Sequence, residues 1–140
     1  MKILIVGCGR VGSRLAEIYD TAGHQVTVVD KSEDSTERLP KEFSGRFVKG
    51  VALDVDALEL AGIAKTEVFV AATPGDNTNL VVGQIAKDRF KVPCVVVRCF
   101  DPNRARFFSE RGLNTISPVS LTVDKIHETI SEYRGEAKKR

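Results

Sequence analysis

Residues 3 to 30 constrain this chain more than any other stretch. The apolar run Ile3-Leu4-Ile5-Val6 leads into Gly7-Cys8-Gly9-Arg10-Val11-Gly12, and Val26-Thr27-Val28-Val29 then ends on Asp30. That order spells a strand, a glycine loop opening a helix, and a second strand with a carboxylate at its tip. Gly7 permits the tight turn, Gly9 lets the backbone approach a pyrophosphate, and Gly12 lets the helix pack closely on the strand. The first turn of any helix leaves N–H groups without intrahelical partners, and with the helix dipole these attract phosphate. A carboxylate about 20 residues after the loop stands where it can accept both ribose hydroxyls of a nucleotide. Strand, helix and acid agree, so the stretch reads as a nucleotide-binding βαβ unit.

A chain of 140 residues fits one domain with a sheet covered on both faces. Its 21 basic and 19 acidic side chains leave a net charge of +2, too little to mark a nucleic-acid or membrane surface. Ile3–Val6 is too short for a signal peptide core or a membrane span. Cys8, Cys94 and Cys99 form no CxxC pair and have no histidine at metal-ligand spacing, which reads as structural thiols in a reducing, cytoplasmic compartment. Cys8 sits at a helix start, where a thiol pKa is lowered, and is expected to be the more reactive one.

The rest of the chain alternates in the same way. Arg46–Lys49 reads as a third strand, with Asp54 as N-cap of a helix reaching Ala61, and Glu67–Ala71 as a fourth. A helix is expected from about Asp76 to Phe90, burying Leu80, Val81, Ile85 and the stem of Gln84. Thr73-Pro74-Gly75-Asp76 fits a capping box with Thr73 as N-cap. Cys94–Arg98 has the continuous apolar character of a strand covered on both faces. Asp101-Pro102 then opens a helix that ends at Gly112. Six strands alternating with helices predict an α/β, Rossmann-like, doubly wound parallel sheet in the order 3-2-1-4-5-6.

The last segment differs. Val119, Val123, Ile126, Ile130 and Tyr133 recur every three or four residues, one apolar seam along a helix. The seam either covers this domain's own sheet or crosses to a partner subunit. Residues 1–137 are assigned to the nucleotide-binding domain and Lys138-Lys139-Arg140 to a disordered basic tail.

Ligands of such sheets sit at the carboxyl ends of the strands, where strand order reverses. The residues expected there are Gly7 to Gly12, Asp30 and Lys31, Gly50-Val51-Ala52, and the segment Ala72 to Asn77 with Thr73 and Asp76. Arg10 is expected to reach terminal phosphates. Arg98, closing the fifth strand on that edge, is assigned to the site together with Asn79, and the alternative reading of Arg98 is a salt bridge with Asp101 or Asp76. Asp30 favours NAD over NADP, because a carboxylate repels a 2′-phosphate, and ATP or ADP would satisfy the same contacts. No tyrosine is followed four residues later by lysine, His24 precedes the second strand, and His127 has no second histidine beside it. No catalytic group and no metal site is therefore assigned, and nucleotide binding without turnover is the expectation.

With those residues assembled, the whole chain resembles the N-terminal nucleotide-binding domain of the regulator-of-potassium-conductance family, also called the Trk-type NAD-binding domain. The resemblance rests on the glycine loop, Gly50 through Ile63, Thr73 through Leu80 with Asp76 and Asn79, Val97-Arg98, Asp101-Pro102, and Gly112 to Ser117-Pro118. It implies a cytoplasmic regulatory domain, peripheral to the inner face of the membrane, that self-associates through dimers into a ring beneath a potassium channel or transporter. NAD(H) or ATP/ADP in the cleft would bias the ring and gate ion flux. By position, Gly7, Gly9 and Gly12 would face the phosphates, Asp30 the ribose, Ala52 the adenine and Arg10 the terminal phosphate. Many relatives carry an acid after the third strand, where this chain has Val51. The alternative left open is an NAD-dependent oxidoreductase fragment lacking its substrate domain.

Overall fold

The continuous apolar run at the N-terminus is explained by its place: it forms the strand buried on every side. In the computed structural model, which describes residues 1–139, β1 (Lys2–Val6) lies between β2 (Gln25–Asp30) and β4 (Val68–Ala71). β3 (Arg46–Lys49) pairs with β2, β5 (Cys94–Arg98) with β4, and β6 (Asn114–Ile116) with β5, all in parallel. The order is β3-β2-β1-β4-β5-β6, as the alternation of elements predicts.

Successive side chains of a strand point to opposite faces, so β1 feeds two cores. Ile3 and Ile5 pack with Val26, Val28 and Ala16 of α1 (Arg10–Thr21) on one face. Leu4 and Val6 join Val29, Phe69, Val97 and Leu113 on the other. That second face is covered by α2 (Val55–Leu60), α3 (Asp76–Gln84) and α4 (Pro102–Glu110). Leu58, Leu80, Val82 and Ala105 are their contributions to it.

Several local expectations need correction. Asp54 and Asp101 cap α2 and α4, accepting from Asp56 N and Asn103 N as anticipated. The cap of α3, however, is Gly75 rather than Thr73: the Thr73 hydroxyl donates to Asn79 Oδ1 and accepts Gly75 N (3.3 Å), so it caps no first-turn amide within α3. In α3 it is Val82 and Gly83 that are buried alongside Leu80, followed by Ala86 in the next turn, while Gln84 and Ile85 are half-buried and Val81 is 49% exposed. The last turn, Ile85–Arg89, widens into a π-helix, with Phe90 N donating to Ile85 O at 3.2 Å. Lys91, at φ 54°, then turns the chain so that Val92 N reaches Ala86 O.

α5 (Pro118–Lys139) is the outlier. None of its residues is buried, and Val119, Val123, Ile126, Ile130 and Tyr133 are 43–71% exposed. The seam does not cover the domain's own sheet. Lys138 and Lys139, expected to be disordered, are the last residues of α5; Arg140 lies outside the described residues.

Candidate functional site

At the carboxyl ends of β1, β2, β3 and β4 the sheet opens into a cleft of about 620 Å³. Its floor is the glycine loop. Gly7 adopts φ +103° and donates its N–H to Val29 O at 2.8 Å, turning the chain out of β1. A Cβ on Gly7 would stand 2.6 Å from Ala72 O, and one on Gly12 1.8 Å from Gly7 O. The loop can therefore close only with glycine at both positions, and α1 starts directly against the end of β1. Gly9 is the N-cap of α1, with no side chain capping the helix, and nothing lies within 4 Å of where its Cβ would be. Open space beside first-turn N–H groups that no side chain caps is the arrangement by which a helix start can accept an anion.

Asp30 forms the next wall. Its carboxylate accepts Cys8 N at 2.8 Å through one oxygen and Ser32 N at 2.9 Å through the other. Those two bonds hold the carboxylate against the glycine loop, and each oxygen keeps a lone pair for a further donor. β2 places it there, with Asp30 in register with Lys49 and its carbonyl accepting Gly50 N at 3.0 Å.

The third wall, the β4–α3 loop, is held from behind. Asn79 is 0% exposed; its Oδ1 accepts Thr73 N (2.9 Å) and Thr73 Oγ1 (2.6 Å), while its Nδ2 donates to Thr73 O (2.9 Å) and Arg98 O (3.0 Å). Arg98 donates to Ala72 O and Thr73 O at 3.0 and 2.8 Å and lies over the Phe100 ring, 4.9 Å from its centroid. An Arg98 ion pair with Asp101 or Asp76 is absent among the described residues, because Asp76 spends its carboxylate on Phe100 N (2.8 Å) and Asp101 N (3.1 Å). Burial lowers the Arg98 pKa, against an opposing attraction from Asp76.

Of the residues assigned from sequence, Gly7, Cys8, Gly9, Asp30, Lys31, Gly50, Val51, Ala52 and Thr73 line the cleft. Arg10, Val11, Gly12, Ala72, Asp76, Asn79 and Arg98 do not. Arg10 and Val11 lie exposed on α1, and the others support the walls. Cys8 is fully buried and its Sγ donates to Ser35 O at 3.3 Å. Burial pushes its thiol pKa up, so the expected reactivity at the helix start is reversed.

The cleft also contains Ser32, Ser35, Arg38, Leu53 and Thr78, which the motif reading omits. Glu33–Arg38 is a 3₁₀ turn, and three residues per turn align positions 32, 35 and 38 on one side. The spacing Ser-x-x-Ser-x-x-Arg, starting two residues after the acid, was the available signal. A second groove, about 570 Å³, lies at the amino ends of the strands and is lined by Lys2, His24, Arg46 and Lys65 among others; it has no glycine loop. Among the described residues no group of three or more His, Cys, Asp or Glu could hold a metal ion. Nor, among the described residues, is any helix long and apolar enough to cross a membrane.

The family model of the TrkA-N domain matches residues 3–118. The chain belongs to the TrkA-N domain family. This TrkA-N domain is 40% identical over 126 residues to the Trk system potassium uptake protein TrkA of Streptomyces coelicolor, a match covering 90% of this chain and 56% of the relative. The chain thus spans little more than half the length of that relative. The TrkA-N domain of the Escherichia coli inner membrane protein ybaL aligns with a TM-score of 0.80 at 21% identity, covering 91% of this chain and 95% of that one. The GsuK RCK domain aligns at 0.78 and 20% identity, over 95% of this chain and 28% of that one. GsuK bound to ADP aligns at 0.77 and 20% identity (94% and 34% covered), and the GsuK channel bound to NAD at 0.64 and 19% identity (84% and 21% covered). These likenesses agree with the Rossmann-like fold and with the family resemblance drawn from the motifs.

Asp76 gives this TrkA-N domain an acid-sensitive tie. Burial pushes its carboxyl up, but hydrogen bonds from the Phe100 and Asp101 amides outweigh that and hold it below its ordinary 3.8. A carboxyl lowered on folding stabilises fully above its unfolded value and loses that contribution as pH falls through the folded value. Asp76→Asn is therefore expected to lower the urea midpoint at neutral pH, with the gap to the parent narrowing below pH 3.8. A gap independent of pH would remove the carboxylate from that role.

Proposed function

We propose that this TrkA-N domain is the nucleotide-sensing part of a regulator of potassium uptake, binding an adenine nucleotide, NAD(H) or ATP/ADP, in the cleft between the glycine loop and Asp30. The observation that carries the reading is the pairing of an open, uncapped start of α1 at Gly9 with a carboxylate held in place by Cys8 N and Ser32 N. Phosphates sit on the helix start and ribose hydroxyls on Asp30. The potassium uptake relative at 40% identity and the ADP- and NAD-bound GsuK structures support it. The domain works on the cytoplasmic side, against a membrane potassium channel or transporter, and without catalytic turnover. The mechanism is differential binding: a nucleotide that prefers one arrangement of the assembly shifts it, and one that binds all arrangements equally shifts nothing.

Calorimetric titration with NADH, NAD, ADP and ATP tests this directly. Asp30→Asn keeps an acceptor for only one of the Cys8 and Ser32 amides and loses the charge, and is expected to weaken binding about tenfold or more, since bonds to charged groups contribute roughly 1.5–3 kcal/mol each. Unchanged affinity would move the sugar away from Asp30.

The dimer on which a ring would be built is assigned to α5. A 22-residue helix with no buried residue and a continuous seam of Val119, Val123, Ile126, Ile130 and Tyr133 supports a partner helix from a second copy. Light scattering is expected to give a dimer or larger species at micromolar concentration, and Ile126→Lys with Ile130→Lys a monomer of unchanged circular dichroism. A monomeric parent chain would sink this assignment.

A further inference from the structure

A doubly wound sheet has two nucleotide-binding halves, and a dinucleotide lies across both. In this chain the halves are unequal. The cleft draws its lining from the ends of β1, β2, β3 and β4, and among the described residues none beyond Thr78 lines it. The second half would lie over the carboxyl ends of β5 and β6, where the polar backbone groups are already engaged from within. An amide N–H has one proton to give, and four are taken there. Thr73 N donates to Asn79 Oδ1 (2.9 Å), Cys99 N to Ile116 O (2.9 Å), and Phe100 N and Asp101 N to the two oxygens of Asp76 (2.8 and 3.1 Å). The acceptors are engaged as well. Thr73 O receives Asn79 Nδ2 and the Arg98 guanidinium, Arg98 O receives Asn79 Nδ2, and Phe100 O receives Ser117 Oγ at 3.0 Å. The first half is the opposite: α1 starts at Gly9 without a side-chain cap, and each Asp30 oxygen keeps a lone pair for a further donor.

The loop between the halves also stands hard against the glycine turn, since a Cβ on Gly7 would meet Ala72 O at 2.6 Å and Thr73 N at 2.8 Å. A nicotinamide ring carries a carboxamide, whose amino group and oxygen need an acceptor and a donor held on a rigid edge. At the ends of β5 and β6 those partners are spent. Phe100, 39% exposed, offers a ring, but the Arg98 guanidinium already lies over it, 4.9 Å from the centroid. We infer that the cleft is a mononucleotide site: it holds the adenosine and phosphates of its ligand, leaves the nicotinamide nucleoside of NAD or NADH in solvent, and does not distinguish the oxidised from the reduced form. The inference rests on the nucleotide reading of the cleft and narrows it. NAD(H) binds through its ADP half alone, and because two ligands held by the same contacts bias an assembly equally, the domain reads adenine nucleotide and not redox state.

The test is calorimetric titration of the chain with ADP, ADP-ribose, NAD and NADH. ADP-ribose has the pyrophosphate diester of NADH without the ring, so it is the matched comparison. ADP-ribose, NAD and NADH are expected to bind within about threefold of one another, whereas two hydrogen bonds to a seated carboxamide would give about tenfold or more. NAD or NADH binding tighter than ADP-ribose by more than that threefold margin would overturn the inference, as would a gap of that size between NAD and NADH. Phe100→Ala tests the one exposed ring separately. The ratio of NADH to ADP-ribose affinity is expected to keep its parental value even where the loop beneath loosens, because loosening weakens both ligands alike. A fall in that ratio would overturn the inference and seat the nicotinamide on Phe100. In either overturning case ADP still binds, and only the mononucleotide reading falls. If none of the four ligands binds, the nucleotide reading falls with it.

Discussion

Gly12→Ala is expected to destabilise the chain by about 3 kcal/mol or more, enough to unfold a large part of a marginally stable population. The new methyl group would stand 1.8 Å from Gly7 O and 2.9 Å from Gly7 C, both backbone atoms that no rotamer change can move. Relief requires α1 to lift off β1, which opens the core formed by Ile3, Ile5, Ala16, Val26 and Val28. Gly9→Ala is the matched control: its methyl group meets nothing within 4 Å, so only the poorer N-cap, about 1 kcal/mol or less, is expected to be lost. The two variants therefore separate folding from phosphate access within one loop. Urea unfolding followed by circular dichroism reads the first effect. A Gly12→Ala midpoint equal to that of the parent would contradict the close approach of helix and strand.

Asn79→Ala is the second large loss. The side chain is fully buried and makes four hydrogen bonds, three to Thr73 and one to Arg98 O. Truncation removes all four and strands Thr73 N and Arg98 O away from water; buried polar groups left unpaired cost about 1–3 kcal/mol each. A total near 3 kcal/mol is expected, read as a lowered urea midpoint with unchanged slope. Asn79→Asp is informative beside it. The carboxylate keeps the bonds from Thr73 N and Oγ1 but faces the carbonyls of Thr73 and Arg98, so it is expected to be no better than alanine at neutral pH and to recover in acid. Thr73 lines the cleft, so the Asn79 variants should also weaken nucleotide binding in proportion to the loosened loop. A fully stable Asn79→Ala would mean the β4–α3 loop is held by Arg98 alone.

The correctly anticipated features are those whose cause lies within a few residues. Ile3–Val6 shows a strand buried on both faces, and Asp54 and Asp101 cap helices through amides two residues on. The errors share the opposite property. Thr73 has the sequence of an N-cap, yet Asn79, six residues away, takes its hydroxyl and leaves Gly75 at the helix start. Arg98 has two acids within reach by sequence, yet it turns to the carbonyls of Ala72 and Thr73, because the Asp76 carboxylate is engaged by the amides of Phe100 and Asp101. Val81 and Val82 are indistinguishable by composition, and the rotation of α3 on the sheet decides that Val82 is buried. Cys8 reads as an activated thiol from its position at a helix start, and burial against the Ser35 carbonyl reverses that.

By itself, the sequence determined the strand order, the glycine loop and the carboxylate at the end of β2, because each rests on local backbone geometry and on apolar runs that only a two-sided sheet can bury. Tertiary structure alone decided which assigned residues face the cleft and which brace it from behind, brought Ser32, Ser35 and Arg38 to its wall, and left α5 without a covered face. Those outcomes depend on how rigid elements rotate and compete for the same few polar partners. Competition of that kind is settled between segments distant in sequence, so no local pattern records it.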